Sequence, residues 1–454
     1  MTIVGISDKR VSFFLFVALL LISGKRVRTI YKHVHTQPRE KVAYRDKPET
    51  RDHHSQPKDE IQRIFNVSHT YTNPEIIAKN CSLTVVIIEP KLSEKSLWVL
   101  ESAAANIYPM HRTCFVIKTS ICKVKRELQE KYKSTRNITD QDAFEQVAYS
   151  IKEMGSSHPK FLEAINSGRV RMNVLDYEHY HLKSCNNFKG ISRLFLNHDF
   201  WGKKEFLEQD SDFILNLQND GIICRSFSVN NWSEFAYIGA PWPPKKHLCA
   251  EMSNAWSRFH SGNVANLSFP PFPTEEEICT KHEFGPVGNG GISMRSRQWM
   301  RKAVRYCPTM YSGLSDVERK MAPCNGTSNG FEEDMFFATI LRGMGAPLPT
   351  LFEASLFGTE LRTPNELLDI YRIDNGTLEE LVAKRWYSPY TEKGPVELYR
   401  EMQTSILFTV SLTFHKPWNF KHGIWDTSHV RKYCPYFQYI LPEDEKNNTI
   451  QSYT

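Results

Sequence analysis

Apolar positions divide the 454-residue chain into three regimes. The first is an uninterrupted apolar run, Val11 to Gly24 (VSFFLFVALLLISG), bracketed by Lys9 and Arg10 before it and Lys25, Arg26 and Arg28 after it. The second, residues 25–78, is rich in Lys, Arg, His, Gln, Asp and Pro and poor in large apolar side chains. Such a segment buries too little surface to offset its ordering entropy, and it reads as a flexible stem. The third regime opens at Leu83 to Ile88 (LTVVII), a β-branched run of the kind that forms a strand buried on both faces.

From there, strand-like and helix-like segments alternate. Glu94 to Asn106 carries helix formers with apolar residues at helical spacing, Cys114 to Ile117 is a second strand, and Asp140 to Met154 an amphipathic helix. Val170 to Leu175 reads as a strand, Phe188 to Leu196 as a helix, and Phe213 to Leu217 as another buried strand. The alternation predicts an α/β domain: a mainly parallel sheet flanked by helices on both faces, with ligands at the C-terminal strand ends. The Pro- and Cys-containing stretch from Pro241 to Cys279 is predicted to be irregular, a long loop near a site or a surface insertion. The resulting plan is a short cytoplasmic tail (1–10), a membrane segment (11–24), a stem (25–78), one large domain (79–440) and a C-terminal tail (441–454).

Charge and composition sharpen this plan. The apolar run, behind a basic N-terminus, is a secretory signal, shorter than the ~20 residues that span a bilayer comfortably. It is either a cleaved signal peptide, releasing a secreted protein, or an uncleaved signal anchor in a thin early-secretory membrane. No A-x-A site follows it, which favours the single-pass anchor with the bulk of the chain lumenal. Eight N-x-S/T sequons, starting at Asn66, Asn80, Asn137, Asn231, Asn266, Asn325, Asn375 and Asn447, agree with lumenal exposure. The ten cysteines lack C-x-x-C or zinc-like spacing, so several disulfides are expected. Of the net charge of +6, residues 25–60 alone carry ten Lys/Arg against six Asp/Glu. The basic excess therefore sits beside the membrane, and the main domain lacks the charge of a nucleic-acid binder.

Four constellations carry candidate chemistry. FILNLQND (Phe213 to Asp220) is a buried strand ending in an acid, which delivers a carboxylate to the ligand edge, where it can hold a hard divalent cation; Asn-Asp-Gly is equally good turn chemistry. The literal D-x-D at Asp210 to Asp212 lies at the wrong end of that strand and reads as a connecting loop. VGNGGISMR (Val287 to Arg295) holds Gly288, Asn289, Gly290 and Gly291, a stretch where backbone can approach a ligand closely. GFEEDMFF (Gly330 to Phe337) opens a helix with Glu332, Glu333 and Asp334, where acids either complement the helix dipole or serve as an ionised general base. FHKPW combines a metal-ligand type (His415), a phosphate-binding cation (Lys416) and a stacking face (Trp418).

Taken in order, Val85 to Glu89, Gln218 to Asp220, Tyr237 to Trp242, Gly288 to Arg295, Glu333 to Phe337 and His415 to Trp418 resemble the motif series of a eukaryotic family known as a domain of unknown function. That family is related to glycosyltransferases of the GT-A (Rossmann-like) fold. The resemblance implies a nucleotide-sugar donor, such as a UDP-sugar, held through Mn²⁺, with Asp220 and His415 as metal ligands. It implies nucleotide and diphosphate contacts from Glu89, Lys91, Gln218, Asn219 and Lys416. Trp242, Gly288, Asn289, Gly290, Gly291 and Trp418 would shape the acceptor side. Glu333-Asp334 resembles the acidic pair of inverting members, with Asp334 as base and Glu333 as acceptor contact, or the two exchanged; retaining transfer stays open. Gln218-Asn219 stands where many relatives carry a further acid, which leaves one carboxylate for the metal. The competing class is a lumenal carbohydrate-binding or scaffold protein on a degenerate transferase fold. A glycoside hydrolase would need two opposed carboxylates and no metal.

Overall fold

The computed structural model describes residues between 81 and 440, apart from 90–91, 120, 133–136, 156, 176–193, 203–205, 207–209, 243–244, 262–268, 311–332, 360–374, 387–393, 398–399, 401–410 and 417–433. The predicted cytoplasmic tail, anchor, stem and C-terminal tail, most of the helix expected at Phe188 to Leu196, and the candidates Lys91 and Trp418 all lie outside the described residues. Among the described residues, no helix is long and apolar enough to cross a membrane.

The strands, in chain order, are β1 (Leu83–Glu89), β2 (Ile107–Tyr108), β3 (Thr113–Thr119), β4 (Val170–Val174), β5 (Phe213–Leu217), β6 (Gly221–Ile223), β7 (Phe227–Ser228), β8 (Tyr237–Gly239), β9 (Ile292–Ser296), β10 (Gly358–Thr359) and β11 (Thr413–His415). The main sheet runs β4-β3-β1-β5-β9-β8. Its first four strands are mutually parallel, and β9 is antiparallel to both β5 and β8. The fold is thus mixed α/β around a mostly parallel sheet.

Both faces of that sheet are buried, as the unbroken apolar strands predict. Val85 and Ile87 of β1 join Phe115, Ile117, Leu215 and Leu217 in one core, while the intervening Val86 and Ile88 join Val116 and Ile214 in a second core on the opposite face. Period-two alternation assigns each residue to its side. Each such fully buried side chain contributes about 1.5–3 kcal/mol.

Helix α1 (Glu94–Asn106) follows β1 and starts at a capping box, in which Ser93 and Ser96 exchange side-chain and backbone bonds. Helices α2 (Ile121–Lys131), α3 (Asp140–Gly155) and α4 (Pro159–Asn166) connect β3 to β4. The Asp210-Ser211-Asp212 triplet does lie before β5. Asp210 pairs with Arg171 at 2.6 Å. Asp212 accepts the Ser296 hydroxyl and the Gln298 N–H at 2.6 and 3.0 Å, at the start of the helix after β9.

One expectation is overturned. Pro241 to Cys279 is not a long irregular loop: it contains helix α5 (Lys246–Ser261) and helix α6 (Glu275–Thr280), joined by the Cys249–Cys279 disulfide. Flanking prolines mask two signals. Cys249, Met252 and Trp256 fall on one buried helical face, and Thr274 forms a capping box with Glu277. The remaining helices used below are α7 (Arg297–Met310), α8 (Glu333–Gly343), α9 (Leu351–Phe357), α10 (Asn375–Arg385) and α11 (Phe437–Ile440).

Two further disulfides, Cys81–Cys114 and Cys224–Cys434, meet the expectation of cystine cross-links. They differ in reach. Cys224–Cys434 closes a separation of 210 residues against 30 for Cys249–Cys279. Loop-closure entropy grows with the logarithm of loop length, so removing the longer link should cost about 1–2 kcal/mol more. Cys434→Ser is therefore expected to lower the denaturant midpoint further than Cys279→Ser does, and equal midpoints would contradict the entropic reasoning.

Candidate functional site

The sheet order brings the candidate chemistry to one edge. Glu89 ends β1 and Gln218 follows β5, both at the C-terminal edge of the parallel strands. Because β9 runs antiparallel to β5, with Leu217 opposite Ile292, the Gly288–Gly291 stretch enters β9 from that same edge. Strand β8 leads back out at Gly239, carrying the chain to Trp242.

A small second sheet, β10-β11-β6, completes the arrangement. Its antiparallel register sets His415 opposite Gly221, beside Asp220. His415 Nε2 lies 3.1 Å from Asp220 Oδ1, and Lys416 Nζ 3.8 Å from Oδ2. Consecutive residues of a strand point to opposite sides, so both reach one carboxylate only because the backbone turns. Lys416 takes a positive φ of 43°, in the left-handed region, and its N–H bonds the Asp220 carbonyl at 3.0 Å. Burial alone would raise the Asp220 carboxyl, but the hydrogen bond and charge of His415 and the charge of Lys416 outweigh it and hold the group below its ordinary value.

Glu89 behaves oppositely. Its carboxylate accepts the Asn219 N–H at 3.0 Å, yet burial, reinforced by the nearby Asp220 charge, pushes it up to about 7. Near neutral pH Asp220 is therefore ionised, while Glu89 is only partly so.

Gly290 and Gly291 stand between this junction and the acidic pair. A Cβ on Gly291 would lie 2.1 Å from His415 Nε2, and one on Gly290 would lie 2.5 Å from Glu333 Oε1. Two adjacent residues thus touch the two halves of the site, and neither position has room for a side chain. Their carbonyls are tied down: Asn216 Nδ2 donates to Gly290 O at 2.7 Å and the Gln218 N–H to Gly291 O at 3.0 Å. Asn289 is buried, with Oδ1 accepting the Gly291 N–H at 2.6 Å, and Gly288 takes a φ of 106° against the Tyr237 ring.

Glu333 and Asp334 open helix α8 and are both buried. Asp334 accepts the Gly290 N–H through Oδ2 at 3.1 Å and the Met335 N–H through Oδ1 at 2.8 Å. Glu333 pairs with Arg295 Nη2 at 3.3 Å. Trp242 is half-buried against Cys249, Met252 and Met335, and therefore borders the α8 side. The structure thus gathers Glu89, Gln218, Asn219, Asp220, His415 and Lys416 in one half. Glu333, Asp334 and Trp242 form the other, with Gly288–Gly291 between.

The sequence singled out neither Arg295 nor Tyr237 as a functional candidate. A strand arginine and a strand tyrosine read locally as ordinary sheet residues. The available signal was Arg295 as the one charged residue in an otherwise uncharged strand, ISMRS.

The donor set at Asp220 fits a small divalent cation. Ligands at ~2.1 Å and right angles to one another are ~3 Å apart, close to the spacing of the buried Oδ1 and Nε2. Among the described residues no third His, Cys, Asp or Glu joins them in a metal-binding cluster. Further ligands would then be water or phosphate oxygens, the usual partners of such a cation.

Residues 173–372 match the model of a family described as a protein of unknown function (DUF5672). The match takes in Asp220, the Gly288–Gly291 stretch and Glu333-Asp334, while Glu89 and His415 fall outside it. No curated protein matches the chain. Among solved structures, the chain is similar to the apo bifunctional glycosyltransferase WbbM, at 10% identity and a TM-score of 0.36, covering 81% of this chain and 52% of that one. It thus spans about half the length of that protein. Mouse xyloside xylosyltransferase 1 in its apo form overlaps at 10% identity and a TM-score of 0.32, over 75% of this chain and 100% of that one. The mannosyltransferase Ktr4p from S. cerevisiae overlaps at 8% identity and a TM-score of 0.30, over 66% and 79% respectively.

The geometry yields two expectations. Gly291→Ala must displace His415 and should destabilise the fold by about 1–3 kcal/mol in chemical denaturation. For Glu89, the folded value lies above the unfolded one, so the native state holds the extra proton between about 4.5 and 7. Its stabilising contribution is present at low pH and is lost as pH rises through that window. Glu89→Gln should therefore gain stability relative to the parent chain between pH 5 and pH 7.5, as read from paired unfolding curves. An unchanged difference across that range would contradict the burial assignment.

Proposed function

We propose that the chain is a GT-A-type glycosyltransferase, moving a sugar from a nucleotide-sugar donor to a hydroxyl of a glycan, glycoprotein or glycolipid. The observation that carries this reading is the Asp220–His415–Lys416 junction at the C-terminal edge of a mostly parallel sheet, one glycine pair away from two buried carboxylates. Each half supplies what one substrate needs.

On the donor side, Asp220 and His415 would hold a divalent cation, Mn²⁺ in this proposal, and Lys416 would meet the diphosphate as a point charge. When bound, the cation supplies Lewis-acid stabilisation of the negative charge on the departing diphosphate. Glu89, Gln218 and Asn219 would border the nucleotide, which in this proposal is a UDP-sugar. Lys91 has the same role by resemblance alone.

On the acceptor side, Trp242 would offer an aromatic face to a sugar ring, with Trp418 assigned likewise by resemblance. Asp334 would take the acceptor hydroxyl proton as the new bond forms at the anomeric carbon and the bond to the diphosphate oxygen breaks, inverting that centre. Its two backbone N–H bonds stabilise the anion and fix its orientation. Glu333 would contact the acceptor hydroxyl.

Delivery through the 11–24 segment into the lumen of the Golgi or ER, with the chain tethered as a single-pass protein, fits the three disulfides among the described residues. The sequon at Asn137 is exposed, whereas the Asn231 amide is engaged with the Arg385 carbonyl at 3.2 Å.

One observation favours a second reading. Both Asp334 oxygens already accept N–H bonds, as they would in a non-catalytic carbohydrate-binding protein built on the same fold. A thermal-shift panel of nucleoside diphosphates and nucleotide sugars, with and without Mn²⁺, separates the two. The transferase reading expects stabilisation by one nucleotide only with metal present, abolished in Asp220→Ala. Asp334→Asn should keep that stabilisation while transfer falls by about 10²–10⁴-fold. Silence across the panel, with stabilisation by free glycans, would favour the binding protein.

A further inference from the structure

Arg295 is fully buried, and its guanidinium has a specific setting. It lies 4.4 Å from the ring centre of Phe195, 5.1 Å from Tyr237 and 5.7 Å from Phe337. Its Nε donates to Ser293 Oγ at 2.8 Å and its Nη2 to Glu333 Oε1 at 3.3 Å. A guanidinium sealed in aromatic rings is expensive to bury, and a lone structural arginine has little reason to be there. The next residue after its partner is the carboxylate that would act as base.

Resting on the transferase reading above, we propose that Arg295 is the positioning residue of the acidic pair. It sets the net charge of the Arg295–Glu333–Asp334 group at one negative unit. Two neighbouring carboxylates shielded from water repel, and one of them then takes up a proton. Arg295 neutralises Glu333, which leaves Asp334 charged and ready to receive the acceptor proton, and its contact with Glu333 fixes the first turn of α8 against Gly290.

The other groups facing this cluster leave that balance unchanged. Tyr237, from β8, is kept protonated because burial, outweighing the pull of Arg295, raises its hydroxyl well above its ordinary value. Helices α5 and α7 pack on α8 with apolar side chains, Met252 and Trp256 from one and Met300 and Val304 from the other. Among the described residues His415 faces Gly291, on the far side of the loop.

The test is the position, rather than the height, of the acidic limb of the transfer pH–rate profile, measured on the full chain. Glu333→Gln keeps Arg295 and its ring setting, and should move the limb down by about one pH unit, since Asp334 then faces an uncompensated cation. Arg295→Met should move it up by a similar amount, a roughly tenfold loss of rate on the acidic side. The double variant Arg295→Met/Glu333→Gln should bring the limb back towards the parent position, because one negative charge is restored. A purely structural arginine would lower rate and stability in every variant without moving the limb, and a Glu333→Gln limb at the parent pH would overturn the proposal.

A second readout needs no catalysis. The unfolding temperature of Arg295→Met relative to the parent should fall as pH rises from 4.5 to 7.5, because a carboxyl with a raised folded value loses its stabilising contribution across that window. Glu333→Gln should show no such fall. If no transfer is found but this difference appears, the charge balance stands and the transferase reading falls; a pH-independent deficit overturns the charge balance itself.

Discussion

The arrangement of the site depends on one long-range strand pairing. Gly221 and His415, far apart in the chain, sit opposite each other in β6 and β11. Without that ladder the acid at the end of β5 would be an exposed turn residue, and the histidine an ordinary residue of a distant segment. Beside it, the Cys224–Cys434 disulfide holds the chain just past β6 to the segment just before helix α11. The cross-link restrains the unfolded ensemble in the same region where the ladder must form. Register matters as much as proximity: a slip of one residue would point His415 away from Asp220.

Charge is organised by contrast across this edge. On one side, Asp220 is held below its usual range by its contacts with His415 and Lys416, while Glu89, a strand away, is pushed up to about 7 by burial. That half therefore presents one firm anion and one that is readily protonated. On the other side, the acids of α8 meet a buried arginine and two backbone N–H groups. Each carboxylate is assigned by its environment rather than by its type, as is usual where acids must do different work within one site.

The parts legible in the sequence were those written in local pattern. Leu83 to Ile88, Glu94 to Asn106 and Phe213 to Leu217 carry periodicity strong enough to locate elements to within a residue, and the alternation of strands and helices gave the sheet. Asp220 was legible because an acid after a buried strand must emerge at the ligand edge. His415 was legible only by residue type, since nothing in FHKPW says that it pairs with Gly221. The helices between Pro241 and Cys279 were hidden because proline dominates the flanks while the buried face, Cys249, Met252 and Trp256, is sparse. Arg295 was illegible for a deeper reason: its meaning lies in Glu333, 38 residues on, and in rings contributed by three separate segments.

The pair of glycines at the centre of the site also acts as a gauge. Successive Cα atoms are 3.8 Å apart across a trans peptide, a length no side-chain rotamer can alter. With His415 packed on one glycine and Glu333 on its neighbour, the two halves abut backbone positions whose spacing is set by covalent geometry. A partition of that kind gives each half little freedom to drift relative to the other. Variation in what the site accepts would then have to come from its walls, while its floor stays fixed.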